Sequence, residues 1–431
     1  MRVFLYKLSL VVVLVASFSG LRAQQDYAIN QLIDRLFVQL ENHQYFELRR
    51  LYQSNERRLP SIYALYFGAH LDAAFNAPKA SNQKIIELLK FSSGALQPDN
   101  MLGILTLKQN NHVLLFEYKE AWQTNKFITS TYADLLDSST LESYRNSEKL
   151  WQALLNCPAQ RVELTGDVNL NLTKDASGLS CVDVQMDTQS SSFVFDTGAN
   201  FSVIQRSVAE KLNLEILDVN FQTTAATGKM IESDLAVVPH LSLGDLHVKN
   251  AVFIVFDDAN LNFPELDYEI TGIVGFPIIR ALREIHVREN MLFIPKNASG
   301  SSNKNFALDG LSPIVELDCN NELLSFHFDT GANATSLFPR FYKKYQSSID
   351  EKYQLENFST GGAGGIVEEK GFVLKKIKLC NNNQSCSLKN VRLNIHETPL
   401  NKNSFGNVGQ DFISAFKGYV LNFETSSFWV E

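Results

Sequence analysis

Two octets in this chain carry the same chemical groups. FVFDTGAN, residues 193–200, returns as FHFDTGAN, residues 326–333, with one difference, Val194 against His327. Each contributes an aspartate, Asp196 or Asp329, followed by a threonine hydroxyl and by a glycine that permits a tight turn and close backbone approach. Held within hydrogen-bonding distance, two such carboxyl groups cannot comfortably both ionise, so the pair retains one proton. One member then serves as general base on a water molecule while the other, protonated, polarises a carbonyl group.

The similarity continues beyond the octets. Gly228 in TTAATGKM and Gly361 in STGGAGG each follow their aspartate by 32 residues. VKNAVFIVF is answered by LKNVRLNIH, with the second copy lengthened around Cys380 and Cys386. Gly275 in TGIVGFPII and Gly409 in GNVGQDFI follow their aspartates by 79 and 80 residues. The sequence therefore reads as two copies of one β unit, each delivering its aspartate from a run of aromatic and β-branched residues.

Taken together, the paired DTGA turns and the later glycines resemble the aspartic peptidases, in particular the retropepsin-like branch, over about residues 160–431. That resemblance implies two β lobes related by a pseudo-two-fold axis, with Asp196 and Asp329 as the catalytic pair. Thr197, Gly198, Thr330 and Gly331 would support them, each threonine bonding the opposite turn. Thr224, Gly228, Gly361 and Gly362 fall where the family has flaps that close over an extended peptide. Water would attack the peptide bond directly, without a covalent intermediate, a metal or an organic cofactor. Because both aspartates lie on one polypeptide, a catalytic monomer is expected.

Ala199 and Ala332 stand where several cellular aspartic peptidases carry a hydroxyl that bonds the outer carboxylate oxygen. Its loss from both turns predicts a less acidic pH optimum. His327, two residues before Asp329 on its strand, projects to the same side as the catalytic group and is a candidate substrate subsite. A histidine satisfied by the backbone is the competing expectation. Asn200 and Asn333 lie in NFS and NAT triplets and read as polar turn residues. A binding protein that grips peptides without cutting them is the alternative function.

Positioning these groups takes only part of the 431 residues. From about Asp26 to Leu155 apolar residues recur at helical spacing, as in Ile29, Leu32, Ile33, Leu36 and Leu40, and in Ile85, Ile86, Leu88 and Leu89. Pro60, Pro78 and Pro98 punctuate the series, and Ser81 or Asn82 is a candidate helix cap. This reads as a helical array, either a solenoid of helix pairs or a spacer or inhibitory prodomain. The expected class is α+β multidomain: a signal peptide at 1–23, a helical domain at 24–156, and β lobes at 157–299 and 300–431.

Arg2 and Lys7, the apolar run Leu8 to Phe18 and Ala23 form an export signal too short to span a bilayer, predicting a periplasmic or secreted protein. A net charge of −8 without a dense basic run argues against nucleic acid as a partner. The partner expected is a peptide or protein substrate. Of five cysteines, Cys380 and Cys386 are candidates for a disulfide-closed hairpin. There is no Gly-x-Ser-x-Gly elbow and no His-Glu-x-x-His helix.

Overall fold

The computed structural model describes residues 26–431 apart from 92, 93, 95 and 302, so the expected signal segment lies outside the described residues. The chain is α+β, a helical region followed by two β lobes and a sheet that joins them. No described helix is long and apolar enough to cross a membrane.

Seven helices make up the first region: α1 (residues 26–41), α2 (Tyr45–Gln53), α3 (Ser61–Ala74), α4 (Pro78–Leu88), α5 (Pro98–Leu114), α6 (Tyr118–Thr131) and α7 (Ser138–Ala153). The prolines start helices: Pro78 and Pro98 occupy first helical positions and Pro60 precedes α3, sites where a missing N–H costs nothing. Ser81 therefore lies inside α4, buried, and donates to the Ala69 carbonyl of α3. Leu32, Ile33 and Leu36 of α1 and Ile85 and Leu88 of α4 are buried, whereas Ile86 and Leu89 remain exposed.

Three of the helix pairs share one connection. His43, Asn76 and Phe116 each take a left-handed backbone conformation, with φ of 52°, 59° and 58°. The following amide donates back across the turn, Gln44 to Gln39, Ala77 to Asp72 and Glu117 to His112, at 2.7–2.8 Å. This is the paired-bond helix terminus that satisfies otherwise orphaned carbonyls and reverses the chain. The array is thus a series of helical hairpins, a regularity of backbone geometry that no residue identity announces.

Each lobe repeats the same strand plan. In the first, Ser180–Met186 and Gln189–Phe195 form a hairpin, and Gly272–Val274 runs parallel to the latter, pairing Ile273 with Val194. In the second, Ser312–Cys319 and Glu322–Phe328 form the hairpin, and Gly406–Val408 pairs Asn407 with His327. Between the lobes lies a five-stranded sheet in which Glu284–Arg288 pairs antiparallel with Gly418–Asn422, so the lobes share one continuous core. The cysteine expectation fails here. Cys380 lies opposite Ser385 and Cys386 opposite Leu379, which sends the two side chains to opposite sheet faces, and both are free thiols.

The helices pack on both lobes. Arg50 pairs with both carboxylate oxygens of Glu316 at 2.9 Å, and Asn76 donates to the Phe423 carbonyl at 2.7 Å. On the other side α7 borders the edge strand Ile216–Thr224. The Asn146 amide accepts from Gln222 N at 2.7 Å and donates to Gln222 O at 2.6 Å, while Lys149 donates to Asn220 O at 3.1 Å. One side chain thereby mimics a neighbouring strand and covers an exposed sheet edge. In Asn146→Leu the Gln222 amide is expected to exchange with solvent roughly tenfold to a hundredfold faster in hydrogen-exchange measurements. Unchanged protection at Gln222 would show that the clamp does not hold this strand.

Candidate active site

The two DTGA turns meet where the lobes join. Their backbones enter identically: Asp196 N donates to Val274 O at 3.0 Å and Asp329 N to Val408 O at 3.1 Å. Each is anchored again further on, by Phe276 N to Ala199 O and Gln410 N to Ala332 O, both at 2.8 Å. Gly275 and Gly409 sit against these turns so closely that a Cβ on either would strike the backbone carbonyl of Phe201 or Ala332. That close approach is why glycine recurs at these two positions.

Four hydrogen bonds lock one turn to the other. Thr197 Oγ1 donates to Phe328 O at 2.7 Å and accepts from Thr330 N at 3.1 Å. Reciprocally, Thr330 Oγ1 donates to Phe195 O at 2.6 Å and accepts from Thr197 N at 3.0 Å. The threonines are 0% and 1% exposed, so water offers no substitute for these partners. Behind the clasp, Gln410 Nε2 donates to Thr330 O at 2.7 Å and its Oε1 accepts from Lys174 of the first lobe at 2.9 Å.

The clasp brings Asp196 and Asp329 into hydrogen-bonding contact. A Cβ on Gly198 would collide with the Asp329 carboxyl group, and one on Gly331 with that of Asp196. Each glycine instead presents its N–H to the aspartate of its own turn, Gly198 to Asp196 at 2.7 Å and Gly331 to Asp329 at 2.9 Å. Burial, reinforced by the facing Asp329 charge, pushes the Asp196 carboxyl well above the usual carboxylate range. The pair is therefore built to retain a proton, with two acidic groups sharing one small space.

The site is not symmetric. Asn407 Nδ2 donates to Asp329 Oδ2 at 2.8 Å, whereas the corresponding strand residue in the first lobe is Ile273. Ala199 and Ala332 bring no hydroxyl to the outer oxygens, but that of Asp329 has a side-chain donor delivered by a different strand. Only the pairing of His327 with Asn407 reveals it. The signal available in sequence was the Asn in GNVGQ against the Ile in TGIVGF.

The flap residues divide. Thr224 ends its strand exposed, and Gly228 turns the first tip with φ of 79°. In the second hairpin, Gly361 and Gly362 lie within the strand Glu356–Gly362, and the tip falls at Ala363 and Gly364, the latter with φ of 94°. Matching Gly361 to Gly228 by spacing thus misses the turn by three residues, because the helix between the aspartate and the hairpin is longer in the second lobe, Pro339–Lys352 against Arg206–Lys211. The tips touch: Thr227 Oγ1 donates to Ala363 O at 3.2 Å, and Gly364 N donates to Asn260 O at 3.0 Å. His327 lies beside a cavity instead of a backbone partner, and burial lowers its pKa from the ordinary value. Asn200 accepts a long bond from Ser312, 3.4 Å, consistent with a polar turn residue. Among the described residues, no group of three or more His, Cys, Asp or Glu is placed to hold a metal ion.

Thr330→Val keeps the shape of the side chain but leaves Phe195 O and Thr197 N without partners, and is expected to destabilise the protein by about 2–4 kcal/mol. Thr330→Ser retains the hydroxyl and should cost only about 1 kcal/mol for the lost methyl group. Chemical denaturation of the three proteins measures the difference, and equal losses would mean that the clasp depends on packing alone.

No curated protein sequence matches the chain. Similar solved structures include a retropepsin-like aspartic protease from Rickettsia conorii, at 15% identity over 30% of this chain and 99% of that one, with a TM-score of 0.24. Another is conglutin gamma, a basic 7S globulin from lupine seeds, at 10% identity over 62% of this chain and 95% of that one, with a TM-score of 0.37. Residues 182–278, which include Asp196 and its turn, match the Aspartyl protease family.

Proposed function

We propose that the protein is an exported aspartic endopeptidase that works as a single chain. The observation carrying this reading is the reciprocal threonine clasp, which presses two carboxyl groups together where the two lobes join. A peptide would lie extended beneath the tips around Thr227 and Ala363, its backbone pairing with the flap strands. Flap opening has to precede entry, because the tips touch across the cleft.

In the chemical step, the ionised carboxylate takes a proton from water as its oxygen attacks the peptide carbonyl carbon. The protonated carboxyl donates to the carbonyl oxygen, giving a tetrahedral diol. Collapse breaks the C–N bond as one diol hydroxyl returns its proton to the carboxylate that had donated, and the proton gained by the base goes to the departing nitrogen. The shared proton belongs to the pair, so either carboxyl can serve as donor, and Asn407 positions Asp329 through its outer oxygen. No step calls for a cofactor.

Cleavage of a peptide mixture by the wild-type protein, followed by mass spectrometry, tests the reading. Asp196→Asn and Asp329→Asn are each expected to lower kcat by about a thousandfold or more, since each removes half of an acid–base pair. Peptide binding without cleavage, unaltered by either change, would favour the non-catalytic binding function. Asn407→Leu should reduce kcat about tenfold or more with a smaller change in KM, because a positioned donor is lost from Asp329. A KM effect alone would place Asn407 in binding and not in positioning the carboxylate.

The pH profile follows from the Asp196 shift. A raised carboxyl group holds its proton to higher pH, so the singly protonated pair survives further toward neutrality and the alkaline fall of activity is displaced upward. A kcat/KM maximum near pH 2 would contradict this assignment.

A further inference from the structure

A cavity of about 390 Å³ lies between the helical array and the second lobe, beside the aspartate pair. Asn200, which ends the first DTGA turn, and His327, two residues before Asp329, form its inner wall. The outer wall is helical: His43 from the turn after α1, His70 from α3, and Gly103 and Thr106 from α5. Two lobes alone would leave this space open on one side. The array converts it into a pocket of the size that holds small ligands or one long side chain with its neighbours.

Its lining sets one carboxylate, Asp309, among three histidines, His43, His70 and His327, with His43 paired to Asp309. Among the described residues lining it there is no lysine or arginine, and Asp309 is its only carboxylate. Burial outweighs the attraction of Asp309 and Asp329 for a charged His327, and His43 opposes that attraction too. Asp309 Oδ1 accepts from His43 Nδ1 at 2.7 Å and from Tyr45 Oη at 3.1 Å. Among the described residues its Oδ2 is held only by Asn403 at 3.4 Å, which leaves acceptor capacity for a stronger donor. Arg340, at the rim, is directed to the carbonyls of Asn42 and Asn403. Burial, followed by the His43 charge, lowers His70 to about 4, and burial lowers His327 as well, so these imidazoles are acceptors or donors without a fixed charge. In the wall, Asn111 Oδ1 has no partner among the described residues, although its Nδ2 donates to Ser81 and Asn82. A second carboxylate entering here would be repelled by Asp309, whereas a cation would share Asp309 with His43 through the less occupied Oδ2.

We infer that this cavity is a specificity pocket for a lysine or arginine side chain of the bound peptide, with Asp309 as its counter-ion and the helical array as its outer wall. The inference rests on the reading of the cleft as a peptide site, but it requires no turnover. The array is then part of the substrate site, and the symmetry of the two lobes is broken by a third element that contacts only one end of the peptide.

The test uses the full chain carrying Asp196→Asn, with fluorescent peptide mixtures in which lysine, arginine, glutamate or norleucine is fixed at one position at a time. Binding is read by anisotropy, and the same mixtures are offered to the wild-type protein for cleavage. At one position, lysine or arginine is expected to bind about tenfold more tightly than norleucine, and glutamate more weakly than either. Adding Asp309→Asn should collapse the lysine-to-norleucine ratio toward one. If that variant does not fold, Gly103→Leu narrows the pocket from α5, where the new Cβ meets only Tyr66 Oη at 3.5 Å, and should reduce the same ratio. No basic preference at any position, or no binding, overturns the pocket. Cleavage without such a preference overturns it while leaving the peptidase reading intact. A basic preference in binding with no wild-type cleavage upholds the pocket and removes the peptidase.

Discussion

Everything at the centre of this molecule depends on two buried threonine hydroxyls, each used twice. Thr197 and Thr330 donate to carbonyls of the opposite lobe and accept from one another's amides. Two carboxyl groups repel when both are charged, so nothing about their chemistry would draw them together. The clasp opposes that repulsion with fixed dipoles, and the shared core and the sheet joining Glu284–Arg288 to Gly418–Asn422 make separation of the turns expensive. Retention of a proton is the electrostatic consequence of this geometry.

Duplication within one chain also permits the halves to diverge. Val194 is answered by His327, Ile273 by Asn407 and Phe276 by Gln410, all within reach of the turns. Apolar residues surround the first turn, while the second gains a donor to its carboxylate and a polar brace behind its threonine. An identical pair of chains could not make these substitutions on one side only. The inequality gives the two aspartates different surroundings while leaving the clasp symmetric.

The helical array belongs to the same physical system. Its backbone reversals at His43, Asn76 and Phe116 set the angle at which the hairpins stack. The array meets the second lobe through Arg50 and Glu316 and the first through α7 and the strand around Gln222. The strand it clamps leads directly into a flap tip, so restraint in one region is transmitted to the other through backbone hydrogen bonds. A separate spacer would share neither core nor polar contacts with both lobes.

The sequence by itself determined the elements whose signals are local. Repeated DTGA turns, the later glycines, alternating β runs and apolar helical stripes all reflect backbone or side-chain requirements that act within a few residues, and they located both aspartates and the α+β class. Where the reading depended on spacing alone it slipped: Gly361 and Gly362 sit in a strand because a longer helix precedes the second hairpin, and Cys380 and Cys386 face apart because of strand register. Only the tertiary structure decided which residue reaches Asp329 from a neighbouring strand, how α7 grips the flap edge, and what closes the cavity beside His327. Those contacts join residues tens to hundreds of positions apart, where neither periodicity nor motif carries information and the packing of whole elements sets which polar atoms meet.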